Sequence, residues 1–270
     1  METTRQRRNR NGEDWWITAF DEKYLKTYVD IVAPSFTELQ TSFLIGKLGL
    51  KRESKILDLA CGQGRISLEL ARRGYFVLGC DYSEQFVATA RSTAQREGLE
   101  ARFICQDMRS LTYEYEFDVV ISIFTSFGFF DDADNVKALR GISRALKPNG
   151  KLLIDINNAL SIILALSKEG KKDSQTGCIA TNKETELSNG LKVNIREEWN
   201  PITMRWRMTR FWTENGKSRL YETDVRLYLL PELKYLMESS GLRCEKVFGD
   251  FGGSEFDSDS KRLIIIASKG

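Results

Sequence analysis

The residues of this sequence best placed to do chemistry are four aspartates and two glycines. Asp58 lies inside the apolar run that opens "ILDLACGQGRIS", four residues ahead of Gly62, and Gly64 follows. Asp81 closes "YFVLGCD", Asp107 closes "ARFICQD", and Asp155 falls at the end of "KLLIDI". Glycines let the main chain approach a ligand with no Cβ in the way, so this turn can bring backbone N–H groups close to a bound molecule. A nucleoside triphosphate would need G-K-[ST] after the glycines, and none follows. A dinucleotide would call for G-x-G-x-x-G, but Ser67 stands at the third position. A carboxylate at Asp58 would also repel a pyrophosphate and suit a ligand that carries an ammonium group. Asp81, 23 residues after Asp58, can accept two ribose hydroxyls. Asp107 can meet an adenine amino group with the Met108 N–H beside it, and Tyr82 offers an apolar face.

What the sequence lacks narrows the chemistry further. There is no histidine among the 270 residues, which removes Ser-His-Asp and Cys-His nucleophiles, H-E-x-x-H metal sites and every imidazole base. Five cysteines at positions 61, 80, 105, 178 and 244 include no C-x-x-C pair. They fit buried thiols in a reducing, cytoplasmic compartment, and no metal site is expected. The net charge of +2 argues for no polyanionic partner. The one charge cluster, Arg5, Arg7, Arg8 and Arg10, reads as a solvated tail, so nucleic acid is not an expected partner. No apolar run approaches the roughly 20 residues of a membrane span, and no secretory leader is expected.

The elements that must position these residues follow from hydrophobic periodicity. "KILDLA", "YFVLGCD", "ARFICQD", "FDVVISIF" and "KLLIDI" are apolar almost throughout and are separated by helical patterns. Such strands belong to a parallel sheet covered on both faces. "GRISLELARRG" carries Ile66 and Leu70 four apart, Ser83 can cap "EQFVATARSTAQREG", and "KPNG" reads as a turn before the fifth strand. In an open sheet of this kind, ligands bind beyond the carboxyl ends of the strands at the topological switch point, where all four aspartates fall. From Gly177 to Leu229 the pattern alternates, with Asn189-Gly190 and Asn215-Gly216 as turn signals. This predicts an antiparallel meander of three or four strands, with Met204, Trp206 and Met208 on one face and Arg205, Arg207 and Thr209 on the other.

"LDLACGQGRIS", "VLGCDYSEQFV", "FICQDMRSL", "FDVVISIFTSFGFF" and "LKPNGKLLIDI" resemble, in order and spacing, the motifs of class I S-adenosylmethionine-dependent methyltransferases. The resemblance implies a doubly wound, Rossmann-like α/β fold with a seven-stranded sheet whose last strand is antiparallel, plus an inserted antiparallel lid. The expected division is a basic tail and helical cap at 1–50, a cofactor domain at 51–157 and 230–270, and an acceptor subdomain at 158–229. The resemblance places Asp58, Ala60, Gly62 and Gly64 around the methionine part of S-adenosylmethionine. It places Asp81 on the ribose, Asp107 and Met108 at adenine, and the backbone of Ile123 and Phe124 at a remaining methionine contact. In "AFDEKY" only Tyr24 keeps the hydroxyl of a cofactor-closing motif, and Phe20 replaces its first aromatic.

Transfer of a methyl group from a sulfonium is a displacement in which the leaving group is already activated, so positioning and exclusion of water dominate. A chain without histidine can do this. Tyr24, Asp155 and Asn157 are the candidate catalytic residues, and S-adenosyl-L-homocysteine is the expected product. Phe127, Phe129 and Phe130 either line the acceptor or fill core. The leading expectation is methyl transfer to N or O of a small molecule. The alternatives are an RNA or protein methyltransferase, suggested by the arginine-rich start, and a non-catalytic cofactor-binding module. The antiparallel insert suits a lid or a homo-oligomer interface equally.

Overall fold

The computed structural model describes residues 14–28 and 33–270; the arginine-rich start falls outside the described residues. In chain order the elements begin with α1 (Trp15–Ala19), α2 (Glu22–Thr27), α3 (Pro34–Leu48), β1 (Ile56–Leu59), α4 (Arg65–Arg72) and β2 (Val77–Asp81). There follow α5 (Glu84–Glu97), β3 (Ala101–Cys105), a 3-10 turn (Met108–Ser110), β4 (Phe117–Ser122), α6 (Asp132–Ala145), β5 (Leu146–Asn157) and α7 (Ala159–Glu169). The last part holds β6 (Lys171–Lys172), β7 (Ile179–Glu186), β8 (Lys192–Asn200), β9 (Arg205–Glu214), β10 (Lys217–Arg226), α8 (Leu230–Glu238), β11 (Leu242–Phe248) and β12 (Arg262–Lys269). The described residues form two compact units, one of 34–127, 132–158 and 229–270, the other of 14–28, 33, 128–131 and 159–228.

The first unit is built on a seven-stranded sheet of order β11-β12-β5-β4-β1-β2-β3. β1 to β5 are parallel, and β12 runs antiparallel to β5. The fold class is the one the sequence motifs imply. The chain crosses from one side of β1 to the other between β3 and β4, so the switch point lies at the carboxyl ends of β1 and β4. One sheet face carries Ile56, Val77, Val119, Ile121, Leu153 and Ile264, packed with Phe43, Leu44 and Leu48 of α3 and Ile66 and Leu70 of α4. Each such side chain, fully buried, contributes about 1.5–3 kcal/mol. Helix α5 starts at Ser83, whose hydroxyl accepts the Phe86 N–H at 3.4 Å, and stops at Gly98 with φ 64°.

β5 is longer than its apolar core suggests, because the strand runs from Leu146 through "KPNG". The turn survives inside it as a bulge: the register to β4 jumps between Phe117 and Val119, and Asn149 has φ 60°.

The second unit is a five-stranded antiparallel sheet, β10-β9-β8-β7-β6. The sequence pattern counts three or four strands; the extra one, β6, is two lysines long and carries no alternation to detect. Asn215 and Gly216, both at positive φ, make the two-residue turn between β9 and β10. Trp206, Met208 and Trp212 are buried on one face with Val193, Ile195, Tyr221 and Val225.

The opposite face carries Arg205, Arg207 and Thr209, as the alternation predicts. Arg205 and Thr209 are also buried, and Asp224 is 2% exposed. Arg205 pairs with Asp224 at 2.6 Å and donates to the carbonyls of Phe130 (3.1 Å) and Phe129 (3.3 Å). Residues 128–131 are drawn onto the sheet by these bonds and by the Arg226 N–H on the Gly128 carbonyl at 2.8 Å. At Gly128, with φ 104°, a Cβ would stand 2.6 Å from the Arg226 oxygen, so only glycine fits.

Removing one partner of a buried ion pair leaves the other charge unpaired and costs about 3–5 kcal/mol. Asp224→Ala is therefore expected to lower the urea unfolding free energy by about 3 kcal/mol. Glu197→Ala, which breaks the exposed Lys183–Glu197 pair, is expected to cost less than about 1 kcal/mol. Equal losses in the two variants would contradict this assignment.

Candidate functional site

β1 carries Asp58 into the interior at 3% exposure, where its Oδ2 accepts the Ser67 hydroxyl of α4 at 2.6 Å. Ser67, the residue that departs from the dinucleotide fingerprint, is thus the neutral partner of the buried acid. Among the described residues no cation forms an ion pair with Asp58. The neighbouring charge is Arg65, which is held off by Thr37 (2.9 Å) and Gln40 (2.6 Å) of α3. Burial pushes the Asp58 carboxyl up to about 7, with the Ser67 bond and the Arg65 charge pulling the other way.

The turn after β1 is left-handed at three places: Ala60 (φ 56°), Gly62 (57°) and Gly64 (80°). Gly64 begins α4, and a Cβ there would meet the Phe103 ring at 2.9 Å and the Ala90 Cβ at 3.1 Å. Asp81, at the end of β2, accepts the Gly62 N–H with Oδ2 and the Ser83 N–H with Oδ1, both at 2.8 Å. It therefore clamps the glycine turn to the adjoining strand. Burial raises its carboxyl pKa, opposed by the N–H groups of Ser83, Gly62 and Tyr82. The Tyr82 ring beside it is 45% exposed.

At the end of β3, Asp107 caps the 3-10 turn through the Arg109 N–H at 2.8 Å. Both its oxygens also take the Arg109 guanidinium, and Arg109 reaches on to Asp134 at 2.6 Å. Met108 is buried next to it.

Beyond β4, Ile123 is buried and the next two residues, Phe124 (φ 68°) and Thr125 (φ 63°), are both left-handed. Such backbone costs about 1–3 kcal/mol per residue and persists only where its surroundings over-determine it. Asp155, wholly buried, supplies part of that: its Oδ2 accepts the Phe124 N–H at 2.8 Å and its main-chain oxygen the Thr125 N–H at 2.9 Å. Its Oδ1 takes Arg262 Nε at 2.7 Å. The Asn157 N–H donates to Thr125 Oγ1 at 3.1 Å, and Asn157 Oδ1 accepts from Arg262.

Eleven residues singled out from the sequence therefore lie at the carboxyl ends of β1 to β5 in the first unit: Asp58, Ala60, Gly62, Gly64, Asp81, Tyr82, Asp107, Met108, Ile123, Phe124 and Asp155. Asn157 ends β5 beside them. Tyr24 belongs to the second unit, in an aromatic cluster with Phe20, Tyr28 and Tyr221 at centroid distances of 5.3, 4.5 and 5.9 Å. Phe127 and Phe130 are buried, and Phe129 lies against Trp15 and Phe20. Sequence reasoning missed Ser67, Thr125 and Arg262. Arg262 leaves one trace, a charge that with Lys261 stands at the mouth of the apolar run "LIIIA".

A family model described as a methyltransferase domain matches residues 56–150. The chain is 32% identical to a protein of Geobacillus sp. (strain WCH70) assigned to the methyltransferases, across 83% of this chain and 87% of that one. Its fold is shared with an S-adenosylmethionine-dependent methyltransferase from Clostridium acetobutylicum (TM-score 0.75, 19% identity, 92% of this chain and 98% of that one). It is shared also with an amino pentose methyltransferase from Micromonospora echinaspora, whose structure holds S-adenosylmethionine (TM-score 0.65, 17% identity, 93% and 98% covered). The left-handed glycine turn and the buried, cation-free Asp58 fit that cofactor: they leave room for an approaching main chain contact and a place for an ammonium group. The chain belongs to the class I S-adenosylmethionine-dependent methyltransferases. It is an enzyme, and S-adenosylmethionine is its cofactor. Among the described residues no helix is long and apolar enough to cross a membrane.

The shifted carboxyl gives a pH signature. If Asp58 receives the cofactor's ammonium it must be ionised, and below about pH 7 binding would expel a proton. Calorimetry with S-adenosylhomocysteine should show affinity rising by up to about tenfold per pH unit to that point and levelling off above it. Ser67→Ala removes the donor and should move the plateau to higher pH; an unmoved profile would contradict the pairing. The same shift makes Asp58's contribution to the stability of the ligand-free protein fall as pH rises from about 4 to about 7.

Proposed function

We propose that the enzyme methylates N or O of a small-molecule acceptor. Support comes from the amino pentose methyltransferase that shares its fold, and from a site whose own side chains are arranged to bind and orient rather than to act as strong bases. When bound, S-adenosylmethionine supplies a methyl group already activated on a sulfonium sulfur. The residues of the chain do the rest. Asp58 holds the ammonium, the glycine turn admits the main chain close to the methionine part, and Asp81 accepts from the ribose while it also fixes Gly62. Tyr82 offers its exposed ring to adenine, with the Met108 N–H beside it. The Asp107 carboxylate is saturated by Arg109, so its part at adenine requires that the arginine yield one of those bonds.

The observation that carries this reading is the buried Asp58 with a hydroxyl but no cation as partner. With no imidazole in the chain, a neutral amine acceptor needs only to be bound deprotonated, and a phenol or acid needs modest help from a tyrosine or a carboxylate. Tyr24 is the hydroxyl proposed for that task. The five cysteines are all unpaired, which supports a reducing compartment and hence the cytoplasm.

The test is transfer of labelled methyl from S-adenosylmethionine to a cell extract, with the products fractionated by size and analysed by mass spectrometry. Label is expected in the small-molecule fraction; label confined to RNA or protein would overturn the proposal. With the acceptor found, Tyr24→Phe should slow turnover by about tenfold or more while leaving S-adenosylhomocysteine affinity unchanged. Turnover within twofold of wild type would remove Tyr24 from the mechanism.

A further inference from the structure

We propose that Arg262 is a positioning residue for cofactor binding: one guanidinium, acting through Asp155 and Thr125, locks the left-handed backbone of Phe124 and Thr125. The inference rests on the reading that this backbone touches the methionine part of S-adenosylmethionine. It begins from a conformational oddity. Two consecutive non-glycine residues, one of them β-branched, are held at φ 68° and 63°, a region such side chains rarely adopt. One local bond spans the pair, the Ser126 hydroxyl donating to the Ile123 carbonyl at 3.0 Å; the bonds to the pair's own N–H groups come from elsewhere in the chain.

It comes from the start of β12. The antiparallel register sets Arg262 directly opposite Asn157, at the carboxyl end of β5. From there Nε donates to Asp155 Oδ1 at 2.7 Å, Nη1 to Asn157 Oδ1, and Nη2 to Thr125 Oγ1 at 3.0 Å. Asp155 passes the constraint on: its other oxygen takes the Phe124 N–H and its carbonyl the Thr125 N–H. The Arg262 side chain is 17% exposed and Asp155 is wholly buried, so the two form an ion pair shielded from solvent. Its guanidinium carbon lies 6.0 Å from the centre of the Phe124 ring.

The three donors leave the guanidinium in three directions toward acceptors on three residues. A lysine has a single compact ammonium on a flexible stem and cannot reproduce that fork. The same bonds redefine two candidate catalytic residues. Asp155 and Asn157 spend their side-chain oxygens on Arg262 and the Phe124 N–H, which gives them a part in orienting the backbone.

The experiment compares wild type, Arg262→Met, Arg262→Lys and a control, Lys147→Met. Lys147 pairs with Asp118 at the opposite, amino-terminal end of the sheet at 2.7 Å, so its loss tests a surface ion pair remote from the site. Each protein is titrated with S-adenosylhomocysteine by calorimetry, well below its melting temperature. Arg262→Met is expected to weaken binding by about tenfold or more, because small misplacements of a binding group are that costly. Arg262→Lys should fall in between, and Lys147→Met should bind as wild type does. Should Arg262→Met fail to fold, Arg262→Lys, which keeps the charge, still decides the matter. Folded Arg262 variants that bind within twofold of wild type would overturn the proposal. Absence of binding by the wild-type protein would instead overturn the cofactor reading, and this inference with it.

Discussion

A carboxylate held out of water with only a hydroxyl beside it is the constraint around which this enzyme is organised. Burying a charge costs several kcal/mol unless a partner compensates, and the fold supplies Asp58 with partial compensation only. Ser67 donates from α4, and Arg65 lends its charge from a distance because Thr37 and Gln40 of α3 detain it. The group is consequently poised near neutrality. Under the proposed reading, a ligand that brings its own ammonium would complete that balance, and a pyrophosphate would add negative charge beside an acid already penalised by burial.

The glycine turn serves that constraint in a second way. Left-handed backbone at Ala60, Gly62 and Gly64 folds the chain back at the end of β1, and Asp81 secures it by accepting the Gly62 N–H. One acid is therefore left with a hydroxyl alone while another holds the loop beside it. The loop after β4 obeys similar rules. Its first residues are fixed within the mixed-sheet unit by Asp155 and Arg262, and residues 128–131 are fixed within the antiparallel unit by Arg205 and Arg226. In both places an arginine with several directional donors holds carbonyl or carboxylate oxygens that a hydrophobic contact could not orient.

Much of this was readable from the residues alone. Strands buried on both faces are apolar throughout, so β1 to β5 announce themselves, and the cap at Ser83 marks the start of α5 without help from tertiary context. Asp58, Gly62, Gly64 and Asp81 stand out because strand ends in a parallel sheet converge at one edge. Periodicity reports which face a side chain occupies, however, not which distant group neutralises it. The alternation therefore assigns Arg205 to a face but does not reveal its partners, Asp224 and two carbonyls. For the same reason Asp155 reads as an acid aimed at a substrate, although Arg262, 107 residues away along the chain, claims it. Ser67 looks like a missing glycine until its hydroxyl is seen on Asp58. The two lysines of β6 are too few to carry any pattern at all.

The most direct test of the central claim is the ionisation of Asp58 itself, followed by carbon-13 NMR of carboxyl-labelled protein across a pH titration. Without ligand, one aspartate signal should titrate near pH 7, and it should vanish in Asp58→Asn. With S-adenosylhomocysteine bound, that signal should stay in its ionised position well below this pH. An Asp58 that titrates in the ordinary carboxylate range, and is indifferent to the ligand, would contradict the account.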